Sequence, residues 1–316
     1  MEFAVSVRNG GLLVEAVDLL GLLPSAKLFH ALSGILNFPE AEIRASLGAH
    51  GALARSGLVW VDPCFNVFSR KLDLLSDQFA DLMASSDAEP IHLLRGAVSA
   101  LGPAELQLSD YSHIQASLDI LCRYLRQANA TGRKGVNILL HGAPGTGKSQ
   151  LARVLAGELG RELFEVSSED TDGDAVDGSS RLRAFRAAQS FFARGQALIV
   201  FDEMEDVFDD GSSLLGHKST AQSRKAWMNR ELEENPVPTL WLSNSIAGLD
   251  PAFIRRFDMV LELPIPPKKQ REKILHEHCH DLLDAAQLAR VAEVQTLAPA
   301  VVARASSVLR AIRHEL

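Results

Sequence analysis

A glycine-rich segment between an apolar run and a helical stretch constrains this chain most. The sequence HGAPGTGKS follows the run VNILLH (136–141) and precedes the stretch QLARVLAGEL. Gly142, Gly147, Lys148 and Ser149 satisfy the pattern G-x-x-x-x-G-K-[ST], which has its meaning between a strand and a helix. Glycines allow successive backbone N–H groups to face phosphate oxygens, and a helix N-terminus favours an anion. The segment therefore predicts a nucleotide-phosphate site.

The loop as a whole is the predicted binding surface for ATP and Mg²⁺. A lysine at this position reaches the β- and γ-phosphates, and the serine hydroxyl ligates Mg²⁺. The nucleotide-binding residues predicted here are Gly142, Ala143, Pro144, Gly145, Thr146, Gly147, Lys148, Ser149 and Gln150.

Two carboxylates follow a second apolar run. The sequence ALIVFDEMEDVF places Asp202 and Glu203 directly after that run. Because strand ends at one edge of a parallel sheet meet at one crevice, we expect both carboxylates beside the loop. Asp202 would help to hold Mg²⁺, and Glu203 would polarise the water that attacks the γ-phosphate. A kinase would need a second substrate pocket instead, and a glutamate directly after the aspartate favours hydrolysis. The carboxylates that follow, Glu205 among them, are predicted to form a solvated turn.

Three parts are predicted along the chain. Residues 1–105 are mainly helical, and their segment 39–69 has the order of a winged helix-turn-helix: helix, turn, helix, then two short strands joined at Asp62-Pro63. Residues 106–264 alternate apolar runs with helical stretches, the pattern of an α/β core whose parallel sheet is covered on both faces. Residues 265–316 are helical. The strands predicted in the core are 136–141, 163–166, 197–201, 238–242 and 259–263.

The charge balance disfavours nucleic acid as a partner. The chain has 32 basic and 40 acidic residues, a net charge of −8, so no net positive field draws it to nucleic acid or to an anionic membrane. Residues 1–105 hold seven basic and twelve acidic residues. The helix that would enter a DNA groove, near residues 50–56, offers only Arg55, whereas phosphate neutralisation needs several cations. We therefore expect protein docking or a structural role for this part.

Cysteine usage and hydropathy indicate a cytoplasmic protein. Cys64, Cys122 and Cys279 are odd in number, far apart and in no metal-ligand spacing, which favours a reducing compartment. The apolar stretch near the N-terminus carries Glu15 and Asp18, which spoil it as a secretion signal. No uncharged run approaches the roughly 18 residues of a membrane span, so membrane insertion is not expected.

The segment SNSIAGLDPAFIRRFD (243–258) makes a family resemblance specific. It resembles the second region of homology of the AAA+ ATPases, N-x5-D-x-A-x2-R ending in R-F-D. The matching positions are Asn244, Asp250, Ala252, Arg255, Arg256, Phe257 and Asp258. Together with the loop and the carboxylate pair, the resemblance covers about two-thirds of the chain and implies a P-loop core with an α-helical lid at 265–316.

The resemblance also implies roles for particular residues. Asn244 is similar to the sensor-one residue that orients the attacking water. Arg255 and Arg256 resemble arginine fingers, which a neighbouring subunit inserts toward the γ-phosphate; the R-F-D register favours Arg256. Arg304 is a candidate sensor-two arginine, with an ordinary surface arginine as the alternative. The family resemblance further implies a homo-oligomeric ring of six subunits. Each ATP site would lie between two neighbouring subunits.

An acidic loop, SSEDTDGDAVDGSS (167–180), occupies the place of the family's pore loop. It has five carboxylates and no aromatic residue, which speaks against threading of unfolded chains and favours a basic peptide or a basic partner surface. A solvated loop is the equal alternative. Calcium is not expected, because Ala175 and Arg181 stand where the turn glycine and the bidentate glutamate belong.

Three functions remain open on these grounds. The favoured one is an ATPase that remodels an unknown protein partner. The alternatives are a nucleic-acid-linked ATPase that docks on DNA through the winged helix, and a nucleotide-gated scaffold with little turnover.

Overall fold

The described strands form one six-stranded sheet and one two-stranded sheet. The structure, a computed structural model, describes residues 1–48, 51–62, 65–84, 93–170, 173–208 and 225–312. The strands are β1 (Val59–Val61), β2 (Leu72–Leu74), β3 (Val98–Ala100), β4 (Asn137–His141), β5 (Glu162–Val166), β6 (Ala197–Phe201), β7 (Thr239–Ser243) and β8 (Met259–Glu262). The sheet has the order β3-β5-β6-β7-β4-β8, and β1 pairs with β2 separately.

Helices make up most of the remaining described residues. The first seven are α1 (Glu2–Asn9), α2 (Gly11–Asp18), α3 (Ser25–Leu36), α4 (Glu40–Leu47), α5 (Ala52–Arg55), α6 (Phe68–Lys71) and α7 (Asp77–Ala84). Those of the core are α8 (Gln115–Thr131), α9 (Lys148–Glu158), α10 (Gly178–Phe192), α11 (Glu205–Phe208), α12 (Lys225–Glu234) and α13 (Pro251–Ile254). The last three are α14 (Lys268–Cys279), α15 (Ala285–Ala292) and α16 (Pro299–Ile312). Within the described residues, none of these helices has the length and apolarity that a bilayer crossing requires.

The prediction of an α/β core with a mostly parallel sheet is confirmed. All five apolar runs form strands of the one sheet, and β4 pairs in parallel with both β7 and β8. Sequence reasoning missed β3, which pairs antiparallel with β5. This strand has three residues, two of them exposed, so it lacks the apolar run that marked the others. Its pairing is decided by its partner strand and not by its own composition.

One compact unit comprises Met1–Ala100 and Phe164–Ile199. Its N-terminal part has α4 and α5 followed by the antiparallel pair β1 and β2, with Val59 opposite Leu74 and Val61 opposite Leu72. The predicted strand directly after a turn at Asp62-Pro63 is wrong. Residues 68–71 are helical, with Phe68 fully buried, and the second strand comes later because Leu72 and Leu74 supply its buried positions. Pro63 lies outside the described residues. The winged-helix assignment and the three domain limits stay predictions.

Within this unit the residues around Gly57 lie close to α10. A Cβ at Gly57 would stand 2.7 Å from the carbonyl oxygen of Arg183. Arg183 also forms an ion pair with Asp73 of β2, and Arg186 donates to the carbonyl oxygen of Ala54 at 3.1 Å. These contacts fix α10 to the β1–β2 region.

A second compact unit comprises Leu101–Leu163 and Val200–Leu316. The parallel register of β4 and β7 pairs His141 with Ser243. As a result Gly142 and Asn244, the residues that follow each strand, leave the sheet side by side. The backbone N–H of Gly142 donates to the Ser243 carbonyl at 3.3 Å. This register places the start of the glycine-rich loop at the end of β7.

The helical residues after β8 have a small core of their own in this unit. Leu275, Leu288 and Val302, one from each of α14, α15 and α16, are buried together. The buried Arg271 side chain is satisfied by backbone carbonyls, two bonds going to Ala292 and one to Pro266. The predicted helical tail therefore folds as a three-helix unit, and its role as a lid stays a prediction.

Candidate active site

The glycine-rich loop connects β4 to α9. Gly142 has a φ of 153°, and a Cβ there would meet the Leu263 carbonyl oxygen at 2.2 Å. Gly145 has a φ of 78°, and a Cβ there would lie 2.9 Å from the Cβ of Ala300. Both positions thus require glycine. At Gly142 the residue after β8 lies too close for a side chain, and at Gly145 the start of α16 does. The Ala300 N–H also donates to the Gly145 carbonyl at 3.1 Å.

Lys148 lies beneath the loop and is 7% exposed. Its Nζ donates to the Gly142 carbonyl at 2.7 Å and to the Asn244 side-chain oxygen at 3.0 Å. Burial lowers the pKa of Lys148, against the attraction of Asp202 and Glu205. The ammonium group therefore lies among the ends of β4, β6 and β7, as expected for a lysine that serves the terminal phosphates.

Ser149 and Asp202 come together as the sequence predicts. The Ser149 hydroxyl donates to Oδ2 of Asp202 at 2.9 Å, although 52 residues separate the two in the chain. Both groups are hard oxygen donors at the N-terminus of α9, which is the donor chemistry that Mg²⁺ prefers. These two residues thus fit the ion that the fold implies.

Two further loop residues have structural bonds. The Thr146 hydroxyl donates to the Ala143 carbonyl at 2.9 Å and closes the turn. The Gln150 side chain accepts from the Glu105 N–H at 3.1 Å and so ties the segment before α8 to α9. Pro144 is exposed at the outer side of the loop.

Glu203 has a backbone conformation that few residues adopt. Its φ is 49°, in the left-handed region, and its side chain is exposed beside the bonded Asp202. Non-glycine residues in this region cost roughly 1–3 kcal/mol and are concentrated at functional sites. The turn is supported by two bonds: Glu203 N–H to Asp202 Oδ1 at 2.8 Å, and Met204 N–H to the Leu242 carbonyl at 3.0 Å. The strained turn thus holds Glu203, with an exposed side chain, directly after the carboxylate that Ser149 contacts.

Glu205 is the site residue that sequence reasoning missed. The prediction of a solvated turn is wrong at this position, because Oε1 of Glu205 accepts from the Ser243 hydroxyl at 3.0 Å and from the Asn244 backbone N–H. Its other oxygen, Oε2, is buried with no hydrogen-bond partner among the described residues. The adjacency of β6 and β7 in the sheet creates this contact, so only the position of Glu205 in the first turn after Asp202 could have indicated it.

The three candidate arginines are exposed on the surface of the chain. Arg256 forms an ion pair with Glu233, while Nε of Arg255 donates to the Pro251 carbonyl of its own helix at 3.3 Å. Arg304 lies on α16, one helical turn after Ala300, which contacts the loop. The side chains of Arg255 and Arg256 are thus accessible to solvent in the single chain. Their roles stay predictions.

The acidic loop is partly organised by its own carboxylates. Asp170 Oδ1 accepts from the Asp174 N–H at 2.9 Å, and Asp177 caps α10 by accepting from the N–H groups of Ser179 and Ser180. Asp172 lies outside the described residues. The carboxylates of Asp170 and Asp177 thus serve backbone N–H groups, and both interpretations of this loop stay open.

Comparison with known proteins agrees with this geometry. The sequence pattern of the family "ATPase family associated with various cellular activities (AAA)" matches residues 138–265. That range begins in β4 and ends after β8, and it includes the loop, the carboxylate pair, Asn244 and both arginines.

Several relatives are similar over about half of the chain or somewhat more. The ATP-dependent zinc metalloprotease FtsH 1 of Symbiobacterium thermophilum is 31% identical over 61% of this chain and 35% of its own length. FtsH of Nitrosococcus oceani is 34% identical over 51% of this chain and 26% of its own. The human ATPase family gene 2 protein homolog B is 31% identical over 54% of this chain and 24% of its own. This chain therefore spans about a quarter to a third of these relatives.

Proposed function

This chain belongs to the AAA family of ATPases, and on that premise we propose that it hydrolyses ATP in a ring of identical subunits and thereby remodels a protein partner. The observation that carries the proposal is the 2.9 Å hydrogen bond between Ser149 and Asp202. This bond brings the end of the glycine-rich loop next to the carboxylate pair. Hydrolysis of a phosphate requires the phosphate-binding loop and the carboxylates to lie together in this way.

Binding depends on the loop and on Lys148. The N–H groups at the start of α9 and the Lys148 ammonium group would hold the phosphates. Ser149 and Asp202 would hold Mg²⁺, which when bound neutralises charge on the β- and γ-phosphate oxygens. Because Lys148 already bonds to Asn244 at 3.0 Å, a bound γ-phosphate would lie next to Asn244 as well.

The hydrolytic step would use Glu203 and Asn244. Glu203 accepts a hydrogen bond from the attacking water and thereby increases its nucleophilicity. Asn244 orients that water, and Glu205 keeps Asn244 in place by accepting its backbone N–H. A transition state of this kind is stabilised mainly by placed charges and dipoles, so small displacements of these groups would slow it.

The ring is proposed because two exposed arginines resemble arginine fingers. Arg255 and Arg256 lie directly after α13, and a finger acting from a neighbouring subunit would complete the charge around the γ-phosphate. We propose six subunits, as the family resemblance implies, with Arg256 as the finger.

A protein is the proposed partner, and the cytoplasm is the proposed location. The acidic balance of residues 1–105 favours a protein surface over DNA. Cys122 and Cys279 are free and buried, as a reducing compartment would leave them. The protease activity and the zinc in the names of the FtsH relatives are properties of those proteins, and we do not extend them to this chain.

The test is a paired measurement on the purified chain. Calorimetry with MgATP should give saturable heat, and phosphate release should be measured on the same sample over a range of protein concentrations. Specific activity should rise with concentration as subunits assemble. No heat would refute the nucleotide site, and heat without turnover in assembled rings would favour the scaffold.

A further inference from the structure

A 3₁₀ segment, Leu108–Ile114, contacts the phosphate loop through a buried tyrosine. Tyr111 is 2% exposed, and its hydroxyl donates to the Gly147 carbonyl oxygen at 2.9 Å. Burial raises the pKa of Tyr111, so the hydroxyl keeps its proton and remains a donor. This residue stands 36 positions before the glycine that it contacts.

The bond to Gly147 determines the direction of a neighbouring N–H group. The Gly147 carbonyl accepts two hydrogen bonds, from the Tyr111 hydroxyl and from the Leu151 N–H at 2.8 Å. In a trans peptide the C=O and the following N–H point in opposite directions. The Lys148 N–H is therefore directed away from Tyr111, at the first turn of α9, where helix N–H groups have no partner within the helix. It is one of the groups that a bound phosphate would accept from.

The same segment is held from the other side by helix α14. Gln270 donates through Nε2 to the Asp110 carbonyl, and its Oε1 lies 2.9 Å from Nδ1 of His113. Lys273, one turn further along α14, pairs with the Asp110 carboxylate at 3.5 Å. Segment 108–114 thus has bonds to the phosphate loop at one residue and to the three-helix unit at its neighbours.

We propose that Tyr111 is a positioning residue for the phosphate loop, and that segment 108–114 couples this loop to α14 through Gln270. Nucleotide binding at the loop would then change the position of α14, and a shift of α14 would change the affinity of the loop for the nucleotide. This inference rests on the proposed function, because it requires a nucleotide at the loop.

The two tyrosines of the chain, Tyr111 and Tyr124, allow a direct test. Chain labelled with 3-fluorotyrosine would give two fluorine NMR resonances, assigned with Tyr111→Phe and Tyr124→Phe. Adding MgATP to the unlabelled chain in a calorimeter reports binding, and adding it to the labelled chain should shift the Tyr111 resonance alone. Binding heat without a shift at Tyr111 overturns this inference and leaves the proposed function standing. Absence of heat refutes the proposed function, and this inference with it.

Affinity measurements test the coupling. Tyr111→Phe should raise the Kd for MgATP about 3- to 10-fold, the effect of one lost hydrogen bond, whereas the matched Tyr124→Phe should leave it unchanged. The Tyr111→Phe effect should appear in KM with kcat nearly preserved, since the N–H serves ground and transition state alike; a general loss of folded protein would lower kcat instead.

A double-mutant cycle completes the test. Gln270→Ala should also raise the Kd, although within the described residues its side chain bonds to segment 108–114 and not to the loop. If one segment carries both effects, the double variant should bind about as weakly as the weaker single variant. Independent, multiplying effects would overturn the coupling.

Discussion

The Lys148 ammonium group donates a hydrogen bond to the side-chain oxygen of Asn244 at 3.0 Å. Lys148 follows the loop after β4, and Asn244 follows β7, so the bond joins the ends of two adjacent parallel strands. A phosphate and Asn244 would compete for the same ammonium protons. Nucleotide binding is thereby connected to the residue proposed to orient the water.

Replacing this lysine should abolish nucleotide binding. We expect Lys148→Ala to raise the Kd for MgATP at least about 100-fold, because a charge-assisted contact to phosphate contributes roughly 1.5–3 kcal/mol and the loop loses its buried support. Calorimetry measures this effect. Lys134→Ala, at an exposed lysine of the same unit, is the control and should bind normally. Retained binding in Lys148→Ala would contradict the assignment of the loop.

Glu203→Gln should separate binding from hydrolysis. The amide cannot accept the proton of the attacking water, so we expect kcat to fall about 100-fold or more while the Kd for MgATP stays within about twofold. The left-handed turn suits the isosteric glutamine as well as glutamate. Phosphate release and calorimetry on the same preparation measure both quantities, with Glu162→Gln on β5 as the matched control. Equal turnover in wild type and Glu203→Gln would remove this residue from the mechanism.

Substitutions at Glu205 should affect the position of Asn244. Glu205→Ala removes the acceptor of the Asn244 N–H and one of the two acceptors near the Ser243 hydroxyl, which also lies 2.6 Å from the Ser245 carbonyl oxygen, at a cost of about 1–3 kcal/mol in the free energy of unfolding. We expect Glu205→Gln, which keeps an acceptor oxygen, to recover most of that stability and of the turnover. Urea unfolding and phosphate release would measure the two effects. Full activity in Glu205→Ala would show that this carboxylate is not needed.

The two arginines can be distinguished by mixing variants. A subunit with Glu203→Gln keeps its arginines, and a subunit with Arg256→Ala keeps its glutamate. If Arg256 acts across an interface, mixed rings should recover part of the ATPase activity that each variant lacks alone. The same mixture with Arg255→Ala is the comparison. Recovery with Arg255→Ala and none with Arg256→Ala would assign the finger to Arg255.

His141, the last residue of β4, should make stability depend on pH. Burial lowers the pKa of His141 from its usual 6.5, so the folded chain favours the neutral ring and the unfolded chain binds the proton more readily. The contribution is present above about pH 6.5 and is lost as the pH falls from there through the lower folded pKa. His141→Gln should therefore flatten the fall in the free energy of unfolding between pH 7.5 and about 5. Identical slopes in urea unfolding series would contradict this.

The sequence predicted the parts of the site that a contiguous motif specifies. The loop with Lys148 and Ser149, and the carboxylates after β6, were identifiable because each combines an apolar strand with residues of one chemistry. Their convergence followed from the geometry of parallel strands. Strand β7 also lies between β4 and β6, as the family resemblance implies for the strand that precedes Asn244.

What the sequence did not predict depends on contacts between distant segments. Tyr111 reaches Gly147 and Glu205 reaches Asn244 only after the chain has folded, and neither has a local pattern that marks it. The second strand of the β1–β2 pair was misplaced for a similar reason. Its position is set by Leu72 and Leu74, which can be buried opposite β1. The sequence around residue 63 has the composition of a tight turn, and this led us to place the strand too early.

The absence of a side chain at Gly145 has a consequence for how nucleotide state can reach the helices after β8. Because Gly145 has no side chain, Ala300 can lie close to the loop backbone, and only small side chains separate the loop from the start of α16. Because the Ala300 N–H also donates to the Gly145 carbonyl, a displacement of the loop would be passed to the start of α16. Gly145→Ala would place a methyl group 2.9 Å from the Cβ of Ala300 and force the loop and this helix apart, so the bare backbone here is what would let the nucleotide site and the terminal helix move together.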